Sequence, residues 1–276
     1  MNPQTDGVAE RREYARRWEQ SRAQALSVRG VMFASAGVIA VACIAAYGAL
    51  AVWPAILYPA VEQRVETHIG ETQEIALDDG TRIVLDTSSQ LRVAYNSAAR
   101  DVELLAGQAR FEVAKDARRP FRVHTKFAEV VAVGTAFDVI AFPERTTVTL
   151  IAGRVNVRTI SKAVLARRRV EALVPGEQLG ITGSGELLNK KVVKVENVTA
   201  WQRGTIVIDD APLPEALAIM NRYSPTQIVV EGFSLRSRRI SGVFRIGDVD
   251  TESVVLQRYL GVNEASRSER QIVLKE

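Results

Sequence analysis

From Glu62 to about Gly185, apolar and polar residues alternate with a period of two. The pattern runs Ile83 and Leu85, Val102 and Leu104, Phe111 and Val113, Phe121 and Val123, Val131 and Val133, Phe137 and Val139, Val148 and Leu150, then Val155 and Val157. Alternate side chains of a strand face opposite sides of a sheet, so this spacing predicts a succession of half-buried strands. Asp79-Gly80, Ala106-Gly107, Val133-Gly134 and Ala152-Gly153 fall between them as turn signals. The stretch is expected to fold as an all-β domain. Gly107-Gln108-Ala109-Arg110-Phe111-Glu112-Val113 is echoed by Gly153-Arg154-Val155-Asn156-Val157, each a glycine turn followed by an alternating strand. Such stacking suits a sandwich or a β-solenoid, and two weak units do not separate them, because a solenoid needs about three to bury a continuous core.

From Val192 onward the pattern changes. Gly204 to Ile208 reads as a strand, and Pro212 and Pro214 open a helix with Leu213, Ala216, Leu217 and Met220 on one face. Ile228 to Val230 and Ile240 to Phe244 read as strands. A second helix is expected to begin at Asp250 as N-cap and to stop at Gly261, with Val255 and Tyr259 on one face. Gln271 to Leu274 closes as a strand. The order β-α-β-β-α-β predicts a small α+β domain. Arg167-Arg168-Arg169 lies between strands, in an exposed loop.

The segment from Gly30 to Val61 carries no charged residue. A helix needs about 20 apolar residues to cross the hydrocarbon core. Val31 to Trp53 is therefore predicted to span a membrane, with Trp53 and Tyr58 at the far interface and Pro54 and Pro59 ending the helix. The run is too long and starts too late for a cleaved signal peptide, whose apolar region is about 7–15 residues. Arg11, Arg12, Arg16, Arg17, Arg22 and Arg29 precede it and Arg64 alone closely follows it, which keeps the N-terminus in the cytoplasm. The expected organisation is a cytoplasmic segment at 1–29, the membrane helix and outer linker at 30–61, a periplasmic β domain at 62–190 and an α+β domain at 191–276, mainly β throughout. Val8 to Leu26 has helical composition with Tyr14 and Trp18 on one face. It suits either a partner-binding amphipathic helix or a basic tail on anionic headgroups.

Composition excludes more than it assigns. Thirty-six lysines and arginines are interspersed with 32 acidic residues for a net charge of +4, which is a mildly basic surface and not a nucleic-acid footprint. The one cysteine, Cys43, sits in the apolar segment, so no intrachain disulfide forms. The two histidines, His68 and His124, have no metal-ligand spacing, and no Gly-x-Ser-x-Gly or Walker-type loop is present. Asp78-Asp79 resembles a carboxylate pair but precedes Gly80, a hairpin signal, and Gly134-Thr135 lacks the lysine and helix of a phosphate loop. A non-enzymatic binding and relay protein without metal or cofactor is expected.

Within the β stretch, Leu77-Asp78-Asp79-Gly80-Thr81, Leu85, Ser89, Tyr95, Arg100, Leu104, Gly107-Gln108-Ala109, Phe111, Val113, Arg119-Pro120-Phe121, Val123 and Gly134-Thr135-Ala136-Phe137-Asp138-Val139 occur in order. They continue through Val174-Pro175-Gly176-Glu177, Trp201 to Gly204, and Pro212-Leu213 to Asn221-Arg222-Tyr223. This combination resembles the FecR family of transmembrane signal transducers, the ferric-citrate-type sigma-factor regulators. The C-terminal element order also looks like the small domain at the N-termini of secretins and TonB-dependent receptors. The resemblance implies that an outer-membrane TonB-dependent receptor, occupied by an iron chelate or similar ligand, contacts the periplasmic C-terminal part. The message then reaches a cytoplasmic extracytoplasmic-function sigma factor held by the N-terminus of an anti-sigma factor. On that reading Tyr14 and Trp18 are candidate sigma-factor contacts, and Leu213, Leu217 and Met220 are candidate receptor contacts, although their spacing also suits core packing. The edges of Gln227 to Glu231 or Ile240 to Phe244 offer β-augmentation instead. The segment at 1–29 is shorter than the cytoplasmic part usual in that family. This leaves a second reading, a membrane-anchored periplasmic envelope-binding or assembly protein with no sigma-factor role.

Overall fold

The computed structural model describes residues 61–95, 100–160 and 169–276. The expected membrane helix at Val31–Trp53, Tyr14, Trp18 and most of the Arg167–Arg169 run lie outside these residues. Among the described residues no helix is long and apolar enough to cross a membrane.

The first strands are β1 (Val61–Glu66), β2 (Gln73–Ala76), β3 (Arg82–Leu85), β4 (Gln90–Tyr95) and the long β5 (Arg100–Glu112). They are followed by β6 (Phe121–His124), β7 (Ala128–Ala132), β8 (Ala136–Ala141) and β9 (Arg145–Ala152). β10 (Val155–Thr159), β11 (Val170–Leu173), β12 (Glu177–Thr182) and β13 (Lys191–Val192) complete the set. The first half of β5 pairs antiparallel with β4 and parallel with β6, and its second half pairs antiparallel with β3 and β8. β5 is thereby common to two sheets, in the orders β1-β4-β5-β6-β7-β10-β11 and β2-β3-β5-β8-β9-β12-β13. Inward side chains of both sheets form one hydrophobic cluster. Phe111 of the second sheet stacks on Phe137 at 5.1 Å and meets Phe121 of the first at 6.0 Å. Two sheets over one core correspond to the sandwich of the two expected alternatives.

The alternating pairs read from the sequence are buried, with one exception of phase. In β7 the inward residues are Ala128, Val130 and Ala132, and Val133 is exposed. Val130-Val131-Ala132-Val133 is apolar throughout, so alternation cannot fix which face points inward. Ala106-Gly107 is also not a turn. β5 runs through it, with Leu105 bulged out of the ladder to β4 and Gly107 at φ +89°, and this kink passes the strand from one sheet to the other. The Asp79-Gly80 turn does join β2 to β3. There the buried Arg100 guanidinium donates to Asp79 at 2.8 Å and to the carbonyls of Arg119, Ala114 and Asp116. Burial alone would raise the Asp79 carboxyl, but the hydrogen bonds from Arg100 and from the Thr81 backbone and hydroxyl help to hold it down at about 2. This depressed acid contributes stability above the ordinary carboxylate range that is lost as pH falls toward 2. Asp79 is a structural carboxylate.

After β13, whose pairing with β12 carries the first domain two residues past the expected border at 190, a second fold begins. It comprises α1 (Val195–Val198), a 3-10 turn at Ala200–Arg203, β14 (Thr205–Pro212), α2 (Leu213–Met220) and a 3-10 turn at Asn221–Tyr223. β15 (Gln227–Glu231), β16 (Arg239–Arg245), α3 (Val249–Leu260), β17 (Asn263–Arg267) and β18 (Gln271–Lys275) follow. β14 pairs with β16, and β18 lies between β15 and β17. A second hydrophobic cluster, separate from the first, holds this fold together. β17 is an element the sequence does not announce: Asn263 to Arg267 is exposed along its length and carries no alternation. From β14 onward the observed order is therefore β-α-β-β-α-β-β. The α3 N-cap is Asp248, which accepts from the Thr251 amide, and Asp250 stands in the first turn. The core face of α3 is Ser253, Leu256 and Leu260, while Val255 and Tyr259 are exposed. Val249 and Val254 add apolar residues on both sides and hide the stripe.

Candidate functional site

The two domains meet at a seam made of polar side chains. Asp86 follows β3 in a segment tied to other parts of the first domain: its amide donates to the Gln108 carbonyl, and its own carbonyl accepts from the Thr67 hydroxyl at 2.5 Å. Its carboxylate is fully buried. The 3-10 turn after α2 brings Arg222 and Tyr223 onto it from the second domain. Tyr223 Oη donates to Asp86 Oδ2 at 2.5 Å, and Arg222 Nη2 donates to the same oxygen at 3.2 Å. Arg222 Nη1 donates to Gln108 Oε1 at 3.1 Å, and Gln108 Nε2 donates to both carboxylate oxygens of Asp138, at 3.0 and 3.1 Å. The Arg222 guanidinium lies over the rings of Phe142 and Tyr223, 5.2 and 5.5 Å from their centres. The Thr87 hydroxyl donates to the Arg222 carbonyl, and Arg110 Nη1 donates to Gln202 Oε1 at 2.6 Å. Val84 adds apolar contact with the second core.

Burial pushes the Asp86 carboxyl up, against the opposing pull of Arg222 and the Tyr223 hydroxyl. Burial likewise raises Asp138, to about 7, although the Gln108 amide favours its ionised form. The Asp86 charge adds to the rise, and the Trp201 indole N–H opposes it from nearby without reaching hydrogen-bonding geometry. Tyr223 is raised by burial and by the Asp86 charge, so it remains a phenol. Asp86 Oδ1 has no hydrogen-bond partner. No group here is placed as a nucleophile or an exposed base, and what the arrangement does is hold two domains together.

Sequence reading names none of these residues as a site. Asp86 follows an alternating strand without any mark, whereas Gln108 enters as part of a repeat and, with Asp138, Trp201, Arg222 and Tyr223, as a carrier of a family resemblance. Leu213, Leu217 and Met220 are 2, 8 and 1% exposed, so the core-packing alternative describes them. Leu213 and Leu217 still reach the wall of a groove of about 440 Å³ beside β15. β15 and β16 each pair on one side only within their sheets. The outer side of β15 is capped in part, because the Asn221 amide bonds both the N–H and the C=O of Ile228. His68 is exposed and lies 3.0 Å from Glu71, His124 lies 3.3 Å from Asp101, and no metal-ligating cluster exists among the described residues.

The FecR family model, described as FecR protein, matches residues 63–156, which contain Asp86, Gln108 and Asp138 but not Trp201, Arg222 or Tyr223. Two crystal structures of "a putative anti-sigma factor" from Parabacteroides distasonis ATCC 8503, at 2.50 and 1.65 Å, are similar to this chain with a TM-score of 0.67 and 26% identity. They cover 78 and 77% of this chain and 99 and 98% of their own. No curated protein matches the chain. Over residues 63–156 the chain is similar to the FecR family.

Proposed function

We propose that this chain is a non-enzymatic, sigma-regulating signal transducer anchored in the bacterial inner membrane. The observation that carries the proposal is the likeness, at 26% identity and over nearly the whole of that chain, to a putative anti-sigma factor, combined with the FecR domain match. The uncharged segment from Gly30 to Val61 supplies the anchor, with residues 1–29 in the cytoplasm and the two described domains in the periplasm. Tyr14 and Trp18 are the residues proposed to face an extracytoplasmic-function sigma factor. The second domain is proposed to receive an outer-membrane TonB-dependent receptor of the iron-uptake type. Its accessible surfaces for that contact are the open edge of β16 and the groove beside β15, since Leu213, Leu217 and Met220 are mostly spent on the core.

Deleting the gene is expected to change the transcript level of one sigma-dependent gene set. The full chain should restore it, and a version beginning at Ser27 should not. Transcript levels that are indifferent to the deletion would leave the envelope-binding reading in its place.

A further inference from the structure

The seam contains an imbalance of charge. Two carboxylates, Asp86 at 0% and Asp138 at 1% exposure, are buried at one guanidinium, that of Arg222, whose side chain is 13% exposed. A second buried negative charge without a cation is costly, and such groups either find a partner or take up a proton.

Among the described residues, the surroundings of Asp138 offer no second cation. From β5, Gln108 faces it with an amide, and Arg110 is its cross-strand neighbour. Arg110 turns its guanidinium to Gln202 and to Glu112 at 2.9 Å. From β9 the opposite residue is Thr149, which is uncharged. From the second domain come the Trp201 indole, Arg222 and the Tyr223 phenol, and from the segment after β3 comes Asp86 itself. Arg222 is already committed to Asp86 and Gln108.

We infer that closing the seam between the two domains is coupled to uptake of one proton, shared by the Asp86–Asp138 pair and released when Arg222 and Tyr223 withdraw. Closed, the pair carries one negative charge against one arginine. Open, both carboxylates regain water and ionise at ordinary values. The sign follows from a closed-state acid raised to about 7 and an open-state acid near 4. The closed form is fully favoured below about pH 4, loses ground as pH rises from about 4 to 7, and levels off above that. Docking of the C-terminal domain on the FecR domain is therefore firmer in mild acid, whether or not the chain regulates a sigma factor.

Hydrogen exchange of the full-length chain in detergent, corrected for intrinsic rates, tests this at pH 5 and pH 7. The seam peptides covering 86–89 and 221–224 are read against core peptides covering 121–123 and 272–274. Opening at the seam is expected to rise up to about 100-fold between the two pH values, as one proton requires, with the core peptides unchanged. Asp138→Asn, which leaves Arg222 one carboxylate to balance, should flatten that dependence. Glu252→Gln, at a buried acid of the second domain raised to about 7 by burial, should not. A wild-type seam whose exchange is unchanged between pH 5 and 7 overturns the inference whatever the variants do, as does a slope that survives Asp138→Asn.

Discussion

Replacing Asp86 by alanine is expected to cost the protein about 3–5 kcal/mol, because it strands a mostly buried guanidinium and a buried phenol that share one carboxylate oxygen. The cost is not the value of a salt bridge in isolation. Two buried charges with good geometry roughly offset their own desolvation, whereas removing Asp86 takes away the shared acceptor of Arg222 and Tyr223, and Asp138, bonded to Gln108, makes no hydrogen bond to either. The Arg222 guanidinium is held in place by its contacts over the Phe142 and Tyr223 rings, and it leaves them only by breaking both. For a fold of about 200 residues, a loss of this size lowers Tm by roughly 6–20 °C. Arg239→Met is the contrasting case: its partner Asp210 is a solvated carboxylate, and both side chains are more than half exposed. Thermal unfolding of the full chain should show a large fall for Asp86→Ala and none for Arg239→Met. Equal Tm values for the two variants would mean that the seam does not hold the domains as described.

Gly107→Ala should be the most damaging of the conservative glycine substitutions. An added Cβ would stand 2.2 Å from Ser89 Oγ and 2.5 Å from Ser89 Cα, and the second of these is backbone that cannot rotate away. The position also requires φ +89°, which costs an L-residue about 1–2 kcal/mol before any clash. Overpacking adds about 1–3 kcal/mol. Ser89 Oγ accepts from the Gln108 amide at 2.9 Å and donates to the Gln108 carbonyl, so the displacement is passed to the residue that links Arg222 to Asp138. Gly80→Ala separates the two contributions, since Gly80 has φ +84° with nothing within 4 Å of its added Cβ. Chemical denaturation should therefore rank Gly107→Ala below Gly80→Ala by roughly the overpacking cost. Equal midpoints would remove close strand approach as the reason for glycine at the kink.

Both variants bear on how much of the molecule its sequence discloses. Alternation is legible wherever one face is apolar and the other polar, as at Phe111 and Val113 or Val155 and Val157, because burial is then decided residue by residue. It fails at Val130 to Val133, where both faces are apolar, and at Asn263 to Arg267, where both are polar and the strand is defined by its pairing with β18. Gly107 is legible as a special backbone position but not as a kink in a continuous strand, since both need positive φ. The helix from Leu213 to Met220 is readable, down to its buried face. The seam is not. Its residues lie up to 137 positions apart, and an aspartate after a strand carries no mark that distinguishes a surface turn from a buried partner.

The function proposed for this chain makes it a link between two domains on the periplasmic side and a sigma factor. Crosslinking in intact cells, followed by capture of the full-length chain and of a version starting at Ser27, tests it most directly. Capture of an extracytoplasmic-function sigma factor by the full-length chain alone is the predicted result. Equal capture of envelope partners by both versions, with no sigma factor on either, would contradict it.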